Sequence, residues 1–390
     1  MASTLWASAA GSQAITREQA VQAALARAGR LAIASADSSA ARAMLMGARA
    51  LQNPALAASY SKSPPQLHFT LELPIDLPGL RGARIASATA AVRAAGYRFR
   101  FEKAAAALDA DTTFTRALAA AARARLSRRN ALVADTLLQM AIARRDAGDA
   151  SELEVELARV NAGQQHNLAI ADSVELTGSL IDLQAAMGAI TSAPVITLAD
   201  SLYLPDSGRY SSLRGTPLPI AAGLESVVSA ENRLLAERRS VFGSPALMGG
   251  IETRDPGGTG NELLPTFGVT LPIPLLNRNR AGKAQASAEL MRARAELSVT
   301  RLEYTATLMR MERQRTTAYA RAARDRSLLA SANRVASMSV TAYRAGAVPL
   351  SNVFEAQRSA RDILRQYIDD LAELWIADAT LRVLTLTSSP

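Results

Sequence analysis

The chain has 390 residues, 49% of them hydrophobic but only 4% aromatic, and alanine fills roughly a fifth of all positions, a composition suited to long, closely packed helices. It has no cysteine and only two histidines, His68 and His166, which excludes disulfides, thiolate metal sites and cysteine nucleophiles and leaves little scope for imidazole chemistry. The net charge of +9 leaves nucleic acid or an anionic membrane surface open as partners.

Met1 to Ala14 has the small residues of a signal-peptide end but no basic start or continuous apolar stretch, so 1–14 is read as a leader remnant or disordered start. No transmembrane helix is expected. The longest uncharged stretch, Leu183 to Ala199, is broken by Gln184, Gly188 and Pro194 and falls short of the ~20 apolar residues a span needs.

An internal duplication organises the rest. Leu73, Pro74 and Ile75 recur as Leu271, Pro272 and Ile273; Ala86 to Ala88 as Ala286 to Ala288; Ala147 and Gly148 as Ala345 and Gly346; Val155 as Val353; and Pro54 to Leu56 as Pro245 to Leu247. Their shared order and nearly fixed offset mark two copies of one unit. The first repeat spans 15–193, an inter-repeat linker or equatorial segment 194–219, the second repeat 220–385, and a tail 386–390.

In the first copy, strands are expected at about 54–62 and 66–76. From Leu67 to Ile75 the odd positions are Leu67, Phe69, Leu71, Leu73 and Ile75, and the even ones His68, Thr70, Glu72 and Pro74, the period-two alternation of a strand with one apolar face. Ser63, Pro64 and Pro65 make the turn. A helical hairpin follows over about 79–188, its first helix ending at Gly148 as a C-cap and its second starting near Ser151. In the second copy, strands are expected at about 245–254 and 263–275 around the glycine-rich Asp255 to Gly260, which lacks a phosphate-loop lysine and reads as an extracellular loop. Its helical hairpin spans about 278–384 and turns at Gly346 and Pro349. A helix of about 60 residues is on the order of 90 Å long, beyond ordinary globular helices.

From Gly282 to Gly346, Leu290, Leu297, Tyr304 and Met311 recur every seven residues, and so do Ala288, Ala295, Leu302 and Met309. The two stripes lie roughly 160° apart on the helix wheel. A helix with two opposed seams has neighbours on both sides, as in a ring of helices. Four strands cannot close a membrane barrel alone, since the smallest need eight; three identical chains would supply twelve.

The residues that carry a resemblance are now in view. Gly268 to Arg280 looks like the strand-to-helix junction, and Tyr367 to Leu384 with Trp375 like the last helix, of the heavy-metal (cobalt-zinc-cadmium) branch of the TolC-like outer-membrane factor family. Tyr343, Gly346, Val353 and Glu355 match that family's motif, while Asn352 replaces its usual first acid. The resemblance covers roughly residues 15 to 385. It implies a mainly α protein with a small β part, a homotrimer whose twelve-stranded outer-membrane β-barrel continues into a periplasmic α-helical barrel with an iris-like gate at its tip.

By the same resemblance the gate tyrosine, Tyr343, contacts Glu154. The position of the family's gate arginine is Val348 here, and Arg344 is the candidate substitute. Adaptor docking falls on the helical turns, Ala147, Gly148, Asp149, Ala150 and Ser151 in one copy and Ala345, Gly346, Ala347, Val348, Pro349, Leu350 and Ser351 in the other. Implied partners are a periplasmic adaptor (a membrane fusion protein), an inner-membrane pump of the resistance–nodulation–division (RND) type and outer-membrane lipid, in a Gram-negative bacterium.

Glu154 and Glu355 read either as carboxylate rings of a closed aperture, which attract cations and raise one another's pKa, or as ordinary helix acids near an N-terminus. Tyr343 reads either as a gate or as a seam-packing aromatic. His68 is expected to face the barrel lumen without holding metal, and His166 to be solvated. The methionines do not cluster as copper ligands. Arg123, Arg125, Arg128 and Arg129 interleave with alanines without stacking aromatics and read as solvated helix faces rather than a nucleic-acid surface. No nucleophile, base and orienting group stand in a recognisable spacing, so neither an enzyme nor a cofactor is expected. The expected function is a passive exit duct for heavy-metal cations. The alternatives are a duct for drug efflux or type I protein secretion and, from another class, a soluble structural coiled-coil protein, which has no use for alternating strands.

Overall fold

The computed structural model describes residues 13–63, 65–77, 79–189, 193–205, 215–253 and 263–388. Residues 1–12 of the expected leader, Pro64 of the first turn, part of the inter-repeat linker (206–214), the expected loop Asp255 to Gly260 and tail residues 389–390 lie outside these. In chain order the elements are β1 (Gln13–Ile15), α1 (Arg17–Arg27), α2 (Gly29–Arg49), β2 (Ala55–Tyr60), β3 (Leu67–Pro74), α3 (Leu80–Asp146), α4 (Glu152–Ala186), β4 (Ile196–Leu198), α5 (Leu218–Arg239), a 3-10 turn (Ser240–Phe242), β5 (Ala246–Thr253), β6 (Leu264–Thr270), α6 (Arg280–Arg344) and α7 (Leu350–Leu384). The protein is mainly α with a small β part.

Both long hairpins turn in the same way. Gly148 and Gly346 sit at φ +83° and +72°, a region where a side chain is strained. Gly148 N–H donates to Arg145 O and Asp149 N–H to Arg144 O; Gly346 N–H donates to Tyr343 O and Ala347 N–H to Ala342 O. This paired closure satisfies carbonyls that the helix end leaves open. The following helices start differently: Ser151 caps α4 by accepting from Glu154 N–H, whereas Pro349 precedes α7 without a side-chain cap.

The compact units of the chain are not the two sequence repeats. One comprises Met1–Leu31, Glu102–Leu213 and Tyr304–Leu386, the other Ala32–Phe101, Arg214–Glu303 and Thr387–Pro390. Helices as long as α3 and α6 each contribute to both. In the first unit, Ile15, Ala20, Phe114, Leu118, Leu183, Met187 and Ile196 form one core. One member, Ile196, comes from the expected linker, and β1, whose Gln13 and Ala14 fall in the expected leader, pairs with β4 in parallel, placing Ile15 and Ile196 inside. Arg17 holds the same region, pairing with Asp111, donating to Thr115 Oγ1 at 2.9 Å and lying 4.6 Å over the Trp375 ring.

The second unit carries the antiparallel sheet, in the order β2-β3-β5-β6, so the two repeats join between β3 and β5. Its registry puts Leu56, Leu71 and Gly249 on one face with Phe69, Leu73, Leu247, Phe267 and Val269, and His68, Thr70, Glu72, Met248, Glu252 and Thr270 on the other. β6 is shorter than the alternation suggested, ending at Thr270 rather than near 275. Pro272 and Pro274 lack the N–H that a ladder needs.

Residues that meet at the helical turns

The two turns of the first unit come together around one small core. Leu137, Ala141, Val155 and Ala158 from the first repeat pack with Tyr343, Leu350 and Val353 from the second. Val155 and Val353, paired by the duplication, are both fully buried. The spacing that set them equivalent in sequence also brings both onto the inner face, because each stands one turn into the second helix of its hairpin.

Tyr343 is the centre of this site. Its ring is fully buried, and its hydroxyl donates to Glu154 Oε2 at 3.3 Å. Burial, then the Glu154 charge, raises the phenol above its usual value of 10.0, and the nearby Arg144 guanidinium opposes this. The phenol therefore stays a hydrogen-bond donor across neutral pH. Glu154 also sits in the first turn of α4, where its own N–H reaches Ser151 Oγ. Glu154 is thus at once an acid at a helix start and the acceptor of the tyrosine hydroxyl.

The cation beside Tyr343 is one the sequence reading missed. Arg144 stands with its guanidinium 4.7 Å from the Tyr343 ring centroid, donates to Tyr343 O at 3.0 Å and donates to Asp149 O at 3.1 Å. It thereby ties the last turn of α6 to the turn after α3. Arg344, the expected substitute for the missing arginine at Val348, is exposed and makes no ion pair among the described residues. An odd repeat register was the only available signal: Arg144 aligns with Ala342, one residue before the tyrosine, so nothing in its own copy of the unit marks it. Val348 packs against the core instead, as a partly buried neighbour.

The remaining expected aperture residues lie outside the buried core around Tyr343. Asn352 and Glu355 are exposed on α7. Of the expected docking residues, Leu350 is buried in the cluster, and Ala150 and Val348 are half-buried. Ala147, Gly148, Asp149, Ser151, Ala345, Gly346, Ala347, Pro349 and Ser351 are exposed. One other expectation needs correction. Arg123 is not on a solvated face: only 17% of its side chain is exposed, because Glu175 and Asp369 hold it between α4 and α7. His166 is exposed, as expected, and lies 3.0 Å from Asp135.

The sheet shows the opposite pattern. Its apolar face is the bare one, with Leu71 50%, Val269 72% and Phe267 85% exposed. On the polar face, His68 reaches Glu252 across the β3–β5 seam at 3.3 Å and Ser61 Oγ at 3.3 Å. In α6, Leu290, Leu297 and Tyr304 of one heptad stripe are buried, while Ala288, Ala295, Leu302 and Met309 of the opposite stripe are exposed. Among the described residues no helix is long and apolar enough to cross a membrane, and no group of three metal-ligating side chains stands together.

Residues 256–385 match the family model for outer membrane efflux protein. The chain is 24% identical over 351 residues to the cobalt-zinc-cadmium resistance protein CzcC of Cupriavidus metallidurans, covering 86% of this chain and 82% of that protein. Its fold is shared with the solved CusC channel protein, at TM-score 0.77 and 15% identity over 98% of this chain and 95% of the other. It is likewise shared with the outer membrane protein VceC of Vibrio cholerae, at TM-score 0.76 and 16% identity over 96% and 97%. Over residues 256–385 the chain resembles outer membrane efflux proteins, and its fold is that of the TolC-like channels. They are transport proteins of the outer membrane and not enzymes.

Proposed function

We propose that three copies of this chain form the outer-membrane exit duct of a tripartite efflux system that exports heavy-metal cations. The likeness to CzcC favours metal over drug or protein cargo. The carrying observation is that, among the described residues, surfaces a solitary chain would cover are bare. The sheet has no strand beyond β2 or β6, its apolar face is exposed, and Ala288, Ala295, Leu302 and Met309 of the second α6 stripe are exposed. Three sheets joined edge to edge make a closed twelve-stranded barrel with the apolar face to lipid, and a ring of helices covers the second stripe. No backbone group on the barrel is then left unpaired in the membrane.

In this reading the helical turns form the periplasmic gate. Tyr343 and Glu154 link the two hairpins with a hydrogen bond to a carboxylate, a class worth about 1.5–3 kcal/mol at good geometry and less at this length. Three symmetry copies act on one aperture, where exposed Glu355 forms a ring of carboxylates that favours cations. The exposed turn residues are where a periplasmic adaptor docks, and an inner-membrane RND pump supplies the energy.

The test is reconstitution. The protein is expected to need detergent, to run as a heat-sensitive trimer, and to give small closed-state conductance in planar bilayers. Tyr343→Phe with Glu154→Ala should raise conductance with the trimer intact. A soluble monomer that never inserts into a bilayer would refute the duct and return the chain to a scaffold role.

A further inference from the structure

All four strands meet the helical part of the chain at one end of the sheet, where Ala55 pairs with Glu72 and Ala246 with both Pro74 and Thr270. Arginines flank every crossing there. Arg49 precedes β2, Arg81 follows β3, Arg238 and Arg239 precede β5, and Arg278 and Arg280 follow β6. None of the six pairs with a carboxylate among the described residues; Arg81 and Arg239 donate to backbone carbonyls of Arg49 and Gly79. The segments joining β2 to β3 and β5 to β6 differ, setting Lys62 and Arg254 against Asp255 and Glu262. The positive excess belongs to one end only.

The stretch after β6 adds an apolar element. Leu275 and Leu276 are 77% and 101% exposed and directly precede Arg278 and Arg280. Leu271 and Ile273, between β6 and these leucines, are exposed as well. α6 also starts against the usual rule. Its first residue is Arg280 and its first turn holds no acid. Glu237 of α5 already supplies a carboxylate at this helix start, accepting from Asn279 Nδ2 at 2.7 Å, so the unmatched charge is that of the two arginines, which pair with no carboxylate among the described residues.

We propose that Leu275 to Arg280 is a binding site for an anionic phospholipid of the periplasmic leaflet, the leucines among its acyl chains and Arg278 and Arg280 on its headgroup phosphate. The inference rests on the barrel reading above, which places this end of the sheet at the periplasmic membrane surface. Arginine suits the role because its planar fork holds phosphate oxygens in pairs. Basic residues beside an anionic leaflet are worth about fivefold each in binding, so about thirtyfold for the two.

The experiment uses the detergent-purified trimer with added phosphatidylglycerol or phosphatidylcholine, read by native mass spectrometry and by the thermal unfolding midpoint. Wild type should retain phosphatidylglycerol over phosphatidylcholine by about thirtyfold and unfold at a higher temperature with it. Arg278→Gln with Arg280→Gln should bring the two lipids close to parity while the trimer persists. Equal retention of both lipids by wild type overturns the site. So does a Leu275→Ser, Leu276→Ser protein that falls apart into monomers with its lipid preference intact, because the segment is then a contact with a second copy. A chain that stays monomeric without detergent fails earlier, at the barrel itself, before any lipid is added.

Discussion

The helical turns and the sheet of this protein treat their apolar side chains in opposite ways. At the turns, Tyr343, Val155 and Val353 are fully buried within one chain, and the polar groups around them are matched: phenol to carboxylate, guanidinium to two carbonyls. In the sheet, Leu71, Phe267 and Val269 stand bare while polar residues occupy the more sheltered face. A site that one chain completes can be read from one chain. A surface left incomplete points to a missing environment instead, which on the proposed function is lipid on one face and further copies at the edges. Continuous apolar exposure of that extent is uncommon on a monomer that lives in water.

The sharpest way to break the comparison is to charge the bare face. Leu71→Arg or Val269→Arg should cost about 2–4 kcal/mol near the bilayer midplane, while Thr70→Arg or Thr270→Arg should cost about 0–1 kcal/mol. Trimer yield after outer-membrane insertion measures both, and equal losses at the two parities would remove the facing assigned to the strands.

Next in size are the turn glycines. Gly148→Ala and Gly346→Ala put a side chain at φ +83° and +72°. Each should destabilise by about 1–2 kcal/mol through backbone strain, since an added Cβ meets no heavy atom closer than 3.7 Å at either site. Unfolding midpoints in detergent check this. An unchanged midpoint would mean that the turn relaxes to another shape.

Arg144→Gln tests which arginine belongs to the turn. It removes a guanidinium that faces the Tyr343 ring and holds carbonyls of both turns, so channel conductance should rise. Arg344→Gln should leave conductance as it was. The reverse outcome would restore the cation to the position the family motif suggested.

The smallest expected effect is a pH dependence. The folded-state pKa of Tyr343 is raised above its ordinary 10.0, chiefly by burial and then by Glu154. The stability that the neutral phenol contributes is therefore complete below about pH 10 and is lost as pH rises through the folded value. Conductance should climb on that alkaline limb in wild type and stay flat in Tyr343→Phe. A matching climb in both would assign the effect to other groups.

Much of this protein was legible before any fold was seen. Period-two alternation from Leu67 to Ile75 fixed which strand residues share a face, because a strand has no other way to segregate them. Single glycines at 148 and 346 stopped two long helices, since few other residues accept positive φ. The duplication paired Val155 with Val353, and both are buried. Tertiary structure decided the rest. Alanine-rich helices offer many equivalent faces, so only packing could show that the Leu290 stripe is covered and the Leu302 stripe is not. Three-residue strands at Gln13 and Ile196 carry too little pattern to announce their pairing, 183 residues apart. Which of forty-four basic residues reaches Tyr343 was likewise beyond local reading. Arg144 and Tyr343 lie 199 residues apart, and only the meeting of two helix ends makes them neighbours.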